Sequence, residues 1–189
     1  RGKLLGLIEA RGLNFSYPDG LRPALQDITF ALSPATTLGV VGRVGSGKST
    51  LLRLLMRLET PPAESLFVDG TPVEGWAAED LRRGIAWVGQ HPVLFSDTLR
   101  ENVRFGVPPA DDAALLDALH TAGFTDDLRL MPNGLDTLVG ERGVTLSGGQ
   151  RQRVALARAL LLDSPVLVLD DVLSAVDAHA ERRILDRLK

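Results

Sequence analysis

The string GRVGSGKST, residues 42–50, restricts what this chain can fold into more than any other stretch. Gly42 stands four residues before Gly47-Lys48-Ser49, an arrangement that needs a strand running into it and a helix leaving it. Both are predicted here. A β-prone apolar run occupies 37–41, and leucines recur at helical spacing over 48–58 until Pro61-Pro62. The glycines let the backbone curl so that N–H groups along Gly42, Arg43, Val44, Gly45, Ser46 and Gly47 face a bound phosphate, and the following helix adds its N-terminal dipole. Lys48 is placed to reach the outer phosphates of a nucleoside triphosphate, Ser49 to offer its hydroxyl to Mg2+, and Thr50 to meet phosphate from the first helical turn. The stretch therefore predicts an ATP and Mg2+ site.

Composition narrows the remainder. A chain of 189 residues with 44% apolar and 24% charged residues predicts one globular domain with its own core. The absence of cysteine excludes disulfides, thiolate metal sites and cysteine nucleophiles. A net charge of −3 without a basic stripe argues against nucleic acid as a partner. No apolar run reaches the roughly 18 residues of a membrane span, and residues 1–7 lack the apolar centre of a signal peptide. With Lys3 and Lys189 near the ends, Lys48 is the one internal lysine.

Along the chain, 7–17 and 25–32 alternate with partial period 2 around Pro18-Asp19-Gly20, which predicts an antiparallel pair. Further strands are predicted at 65–68, before Asp69-Gly70, and at 85–88. Two helical patterns, TLRENVRF and DDAALLDALHTA, fill 98–122, the second opened by acidic residues that suit a helix N-terminus. A Gly/Asn/Pro-rich loop over 131–145 leads to a long helix at about 149–162, and a last helix starts near 178. The run VLVL, 166–169, reads as a strand buried on both faces, so the whole predicts a doubly wound α/β core. It ends in Asp170-Asp171. Asp170 at the strand end can hold Mg2+, and Asp171 can orient an attacking water as general base. Taken alone, either aspartate could equally be a cap or turn residue.

LSGGQ at 146–150, running straight into the helix RQRVALARALLL, makes the chain resemble the nucleotide-binding domain of ABC (ATP-binding-cassette) transporters. Other landmarks follow in that family's order: Tyr17 in FSYPDG, the phosphate loop, Gln90 after WVG, VLVLDD, and SAVD at 174–177. The segments HPVLFSDTLRENVRFG and VGERG resemble those of exporters, where they face the transmembrane domain. The resemblance implies a P-loop NTPase (RecA-like) α/β fold with an antiparallel β subdomain and a helical subdomain. Residues 1–90 and 163–189 would form the core with its β subdomain, and 91–162 the helical subdomain bearing LSGGQ.

It also implies roles. Tyr17 would stack on adenine, and Gln90 would contact Mg2+ or the attacking water. Ser147, Gly148, Gly149 and Gln150 would bind the γ-phosphate of ATP held by a second nucleotide-binding domain, a hydroxyl, N–H groups and a helix N-terminus together making an anion site. Asp177 would shape the partner's site, or cap a helix. The chain would then be the ATPase domain of a membrane translocase, working on the cytoplasmic face of the membrane with an attached transmembrane domain.

Two positions depart from the family pattern. The family usually has glutamate where this chain has Asp171, whose carboxylate is withdrawn by roughly 1.5 Å. A base displaced by about 1 Å can lose around 100-fold in rate, so weak hydrolysis is expected at this chain's own loop. Heterodimeric exporters with one degenerate site show this substitution, which points to a heterodimer, with a homodimer as the alternative. The family's switch histidine, beyond Asp177, is not matched by His91, His120 or His179, and a C-terminally truncated domain is expected. A soluble ABC ATPase and a non-hydrolytic nucleotide sensor are the competing readings.

Overall fold

The computed structural model describes residues 4–107, 110–140, 143–172 and 178–187. They fall into two compact units, 1–85 and 86–189.

In the first unit, β1 (Ile8–Phe15) pairs antiparallel with β2 (Leu25–Leu32). The alternation in β1 is only partial because a bulge interrupts it. Ile8 and Ala10 point inward, and then Leu13 does, three residues on. Between Ala10 and Leu13 the register slips by one residue against Phe30 and Ile28. Gly12 takes φ 56° there, and its N–H donates to Thr29 Oγ1 at 2.9 Å. The extra residue re-phases the strand so that an odd-numbered leucine reaches the core. Helix α1 (Lys48–Leu55) follows, burying Leu51, Leu54 and Leu55. β3 (Leu66–Val68) and β4 (Thr71–Pro72) form a hairpin through Asp69-Gly70, both at positive φ as a primed two-residue turn demands. The sheet order is β2-β1-β3-β4, the antiparallel β element expected. The Asp69 carboxylate accepts N–H bonds from Leu5, Gly6 and Leu7 at 2.6, 3.0 and 2.9 Å, fixing the chain's entry into β1.

The helix over 48–58 ends earlier than the leucine spacing suggested. Arg57 takes φ 52°, and its guanidinium donates to the carbonyl of Trp76. Helix α2 (Ala78–Arg83) supplies Arg82, which donates to the Met56 and Arg57 carbonyls at 3.0 and 2.8 Å. The Arg82 bonds hold the two carbonyls just past α1, while Leu52, Arg53 and Leu54 carbonyls in its last turn accept from the Met56, Leu58 and Arg57 N–H groups. The run 37–41 is not a strand. Leu38, Val40 and Val41 are 42%, 46% and 95% exposed, and no described strand pairs with them. β-propensity without a partner strand does not make a strand.

In the second unit, β5 (Ile85–Val88) pairs with β8 (Val166–Leu169), and the Asp170 N–H extends the pairing to the Val88 carbonyl at 2.9 Å. In β8, Val166 and Val168 are buried while Leu167 and Leu169 are half-buried, so burial on both faces is only partly realised. Between these strands, β6 (Asp97–Thr98) pairs with β7 (Leu138–Val139), each two residues long. Helices α3 (Leu99–Arg104) and α4 (Asp112–Thr121) realise the helical patterns of 98–122. Thr98 Oγ1 accepts from Glu101 N–H, and Asp111 accepts from Ala114 N–H, both N-caps. The short α5 (Thr125–Arg129) and the long α6 (Gly148–Leu161) follow, and α7 (Ala178–Arg187) closes the described chain. Leu99, Val103, Leu115, Leu119, Phe124, Val154 and Leu156 form the common core of these helices. Arg100 joins Asp112 and Asp136, and its guanidinium holds the Asp136 carboxyl below the usual carboxylate range.

Asn102 is completely buried and organises the approach to α3. Its Oδ1 accepts from Phe95 N–H at 2.8 Å, and its Nδ2 donates to the Phe95 and Thr98 carbonyls at 2.9 and 3.0 Å. Asn102→Ala strands those backbone groups, so we expect a loss of about 1–3 kcal/mol in urea unfolding. A midpoint unmoved from wild type would contradict this arrangement.

Candidate nucleotide site

The phosphate loop belongs to the first unit. Gly45 and Gly47 take φ 80° and 89°, values open to glycine at no steric cost. A Cβ on Gly47 would run into the Ala24 carbonyl oxygen. The chain turns through this glycine directly into α1, whose N-terminus has no side-chain cap and no acidic residue in its first turn. The N–H groups that a helix leaves open at this end therefore remain for an anion, with the helix dipole favouring negative charge. Lys48 folds back across the loop, its Nζ donating to the Gly42 and Arg43 carbonyls at 2.8 and 3.0 Å. Arg43, Val44, Ser46 and Ser49 are exposed.

Two predicted residues meet at the loop's inner edge. Thr50 is only 8% exposed, and its Oγ1 lies 3.3 Å from the Tyr17 hydroxyl. The Tyr17 ring stands edge-on to Phe15, with centroids 5.1 Å apart. The structure thus brings Tyr17 to the first turn of the phosphate-loop helix, and Thr50 faces the tyrosine.

The second unit carries the other predicted residues. Ser147 caps α6: its Oγ accepts from Gln150 N–H at 3.2 Å, while Gln150 Oε1 accepts from Ser147 N–H at 2.8 Å. This reciprocal pair is a capping box. Because the serine oxygen acts as acceptor, its own O–H is left to donate outward. Ser147 and Gly148 are exposed, and nothing lies within 4 Å of a Cβ built on Gly148, so an anion can approach the backbone closely. Leu146 is buried and its carbonyl accepts from Arg151 at 3.0 Å, anchoring the segment. Gln150 is less available than the resemblance implied, since its Nε2 also donates to Asp127 at 2.9 Å.

At the end of β8, Asp170 is half-buried, and Asp171 takes φ 54°, a left-handed conformation that aspartate tolerates better than most residues. Gln90 Nε2 donates to Asp171 Oδ2 at 3.3 Å. The Gln90 amide oxygen is left to face a cation or water. Ser49, Gln90 and Asp170 are all oxygen donors of the kind Mg2+ prefers. Among the described residues no group of three or more His, Cys, Asp or Glu could hold a metal by itself.

One residue here escaped sequence reasoning. Gln152 is 5% exposed, and its Nε2 donates to the Gln90 carbonyl at 3.5 Å. Its position three and four residues before the buried Ala155 and Leu156 was the available signal, a polar side chain on the inward stripe of a helix. Asp177 and the SAVD segment lie outside the described residues, as do Glu141 and Arg142 of VGERG.

Comparison with known proteins points to one family. The family model described as ABC transporter matches residues 25–174. The ATP-dependent lipid A-core flippase of Pseudoalteromonas atlantica is 44% identical, over 99% of this chain and 32% of that protein. Its namesake in Xanthomonas oryzae pv. oryzae is 45% identical over 97% of this chain and 31% of that protein. A solved bacterial Atm1-family ABC exporter with ATP bound superposes with a TM-score of 0.89 at 35% identity, covering 97% of this chain and 32% of that one. The chain thus spans about a third of the length of the relatives it matches. No helix among the described residues is long and apolar enough to cross a membrane.

Gly47→Ala should cost at least about 1 kcal/mol of stability, because both φ and the Ala24 carbonyl oppose a Cβ. It should also weaken ATP binding in equilibrium dialysis. Gly39→Ala, where a Cβ meets nothing within 4 Å, should leave both unchanged. Equal behaviour of the two variants would contradict the assignment of the loop.

Proposed function

Because the chain belongs to the ABC transporter family, we propose that it is the ATP-binding domain of an exporter, closing on a second nucleotide-binding domain to drive an attached transmembrane domain from the cytoplasmic face of the membrane. The observation that carries this reading is that each unit presents a helix start with N–H or O–H groups open to an anion. One is the uncapped start of α1 with Lys48 across the loop; the other is the serine-capped start of α6. In this reading the two starts work across a pair of chains, each lending Ser147, Gly148 and Gly149 to ATP on the other's phosphate loop. Within the domain we assign a nucleotide-binding core with its β subdomain to 1–90 and 163–189, and a helical subdomain to 91–162.

In this reading residues 42–50 hold the phosphates and Tyr17 the adenine. Mg2+ would be held by Ser49, Gln90 and Asp170, where it would neutralise charge on the transferring phosphoryl group. The Gln150 side chain positions Ser147. Asp171 and Gln90 orient the attacking water, Asp171 as acceptor of its proton. The short Asp171 side chain is already engaged by Gln90, and this supports weak hydrolysis at the chain's own loop and a partner subunit that carries glutamate. A nucleotide sensor that binds without turnover is the second reading, favoured by the same aspartate.

Asp171→Glu tests whether the short aspartate limits this site. In the complete transporter, extending the carboxylate should raise ATP turnover by at least about tenfold, and Lys48→Ala in the same subunit should remove the gain. The longer side chain also sits less well at φ 54°, so a stability loss of up to about 1 kcal/mol should accompany it. Unchanged turnover would contradict a degenerate site.

A further inference from the structure

Asp127 has no part in the assignments above, yet the structure connects it to Ser147 by two steps. It lies in the first turn of α5, with its side chain 18% exposed. Oδ1 accepts from Gln150 Nε2 at 2.9 Å, and Oδ2 accepts from Arg153 at 2.7 Å. The Arg153 side chain is itself only 16% exposed, so the ion pair is shielded from water on both sides. Gln150 has two ends. One is held by this carboxylate; the other accepts the Ser147 N–H and completes the capping box.

We propose that Asp127 is a positioning residue for phosphate binding by Ser147, acting through Gln150. A glutamine side chain has three torsions, and each would scatter its carbonyl oxygen if the amide nitrogen were unheld. Fixing Nε2 on Asp127 fixes Oε1, which fixes the Ser147 backbone. The serine hydroxyl, accepting from Gln150 N–H, is then aimed outward in one orientation. Arg153, one turn along α6 from Gly149, locks the carboxylate to the same helix that the serine caps. Loss of the carboxylate acceptor would leave the serine present but loosely held. The inference rests on the reading that Ser147 binds the γ-phosphate.

Asp127→Ala and Asp127→Asn in the complete transporter test it. Both remove the same negative charge, and electrostatics alone would make both tighten the hold on an anion. They differ in what they leave: asparagine keeps the side-chain volume and one carbonyl able to accept from Gln150 Nε2, and alanine keeps neither. Asp127→Ala should raise the KM for ATP by about tenfold, the scale of a misplaced binding group, with a smaller change in kcat, because it weakens binding common to ground and transition states. Asp127→Asn should stay within about threefold of the wild-type KM, the ion pair lost but the orienting bond kept. A purely structural role would lower the active fraction, and so kcat, and leave KM in place. If Asp127→Ala is too unstable to purify, Asp127→Leu fills the volume without an acceptor and reads the same quantity. An unmoved KM in the acceptor-less variant, or an equal rise in Asp127→Asn, overturns the proposal. Ser147→Ala separates the two readings. If it raises KM but Asp127→Ala adds a further independent rise on that background, the route through Ser147 is wrong while the phosphate reading stands. If Ser147→Ala leaves KM unmoved, the phosphate reading fails and takes this proposal with it.

Discussion

A helix leaves its first N–H groups without partners, and in this chain the ends of two helices handle that debt in opposite ways. At α1 nothing of the protein's own caps the turn: Gly47 offers no side chain, and no acidic residue follows. At α6 the opening is capped, but by a serine whose oxygen accepts, so that its proton still faces outward. Ser49 is exposed at the first end, and Ser147 and Gly148 at the second, where an anion can approach the Gly148 backbone closely. The α1 end adds a lysine held over the loop by the Gly42 and Arg43 carbonyls. Much of the rest of the molecule serves to keep these two helix starts in place.

The scaffolding differs between the units. In the first, a bulged antiparallel sheet presents Leu13 and Leu25 to the core, and Arg82 ties off the two carbonyls just past α1. In the second, α6 is packed along its length against α3 and α4 through Val154, Leu156 and their neighbours, and its start is fixed by Leu146 and Arg151. The buried Gln152 links the same helix to the backbone of Gln90, whose side chain reaches Asp171. A displacement of α6 would therefore be felt at the residue proposed to position the water. That connection is one of hydrogen bonds within a single unit, and it needs no motion of the core to operate.

Motif and periodicity made the long elements legible. LSGGQ before a helical leucine pattern located α6 to within a residue, VLVL marked β8, and Asp111 opened the helix that acidic residues had signalled. Local turn chemistry did equally well at Asp69-Gly70. What remained illegible was decided by contacts distant in sequence. The two-residue strands β6 and β7 exist only because they meet each other across about forty residues of chain. The run 37–41 has strand propensity and no described partner. Gln150 was read as a ligand, and nothing local announces that an aspartate twenty-three residues earlier holds its amide. Asp171 could be recognised as short by one methylene, but its left-handed backbone could not be read from its neighbours.

The central claim is that ATP on one chain is gripped by the signature helix of another. In a complete transporter freed of any other cysteine, a single spin label at exposed Val144, beside LSGGQ, can be paired with one on the phosphate loop of the opposing cassette. Pulsed EPR should then show a single short distance with ATP and a long, broad distribution with ADP, which lacks the γ-phosphate that Ser147 is proposed to bind. A distribution indifferent to the nucleotide, or one that shortens equally with ADP, would contradict the account.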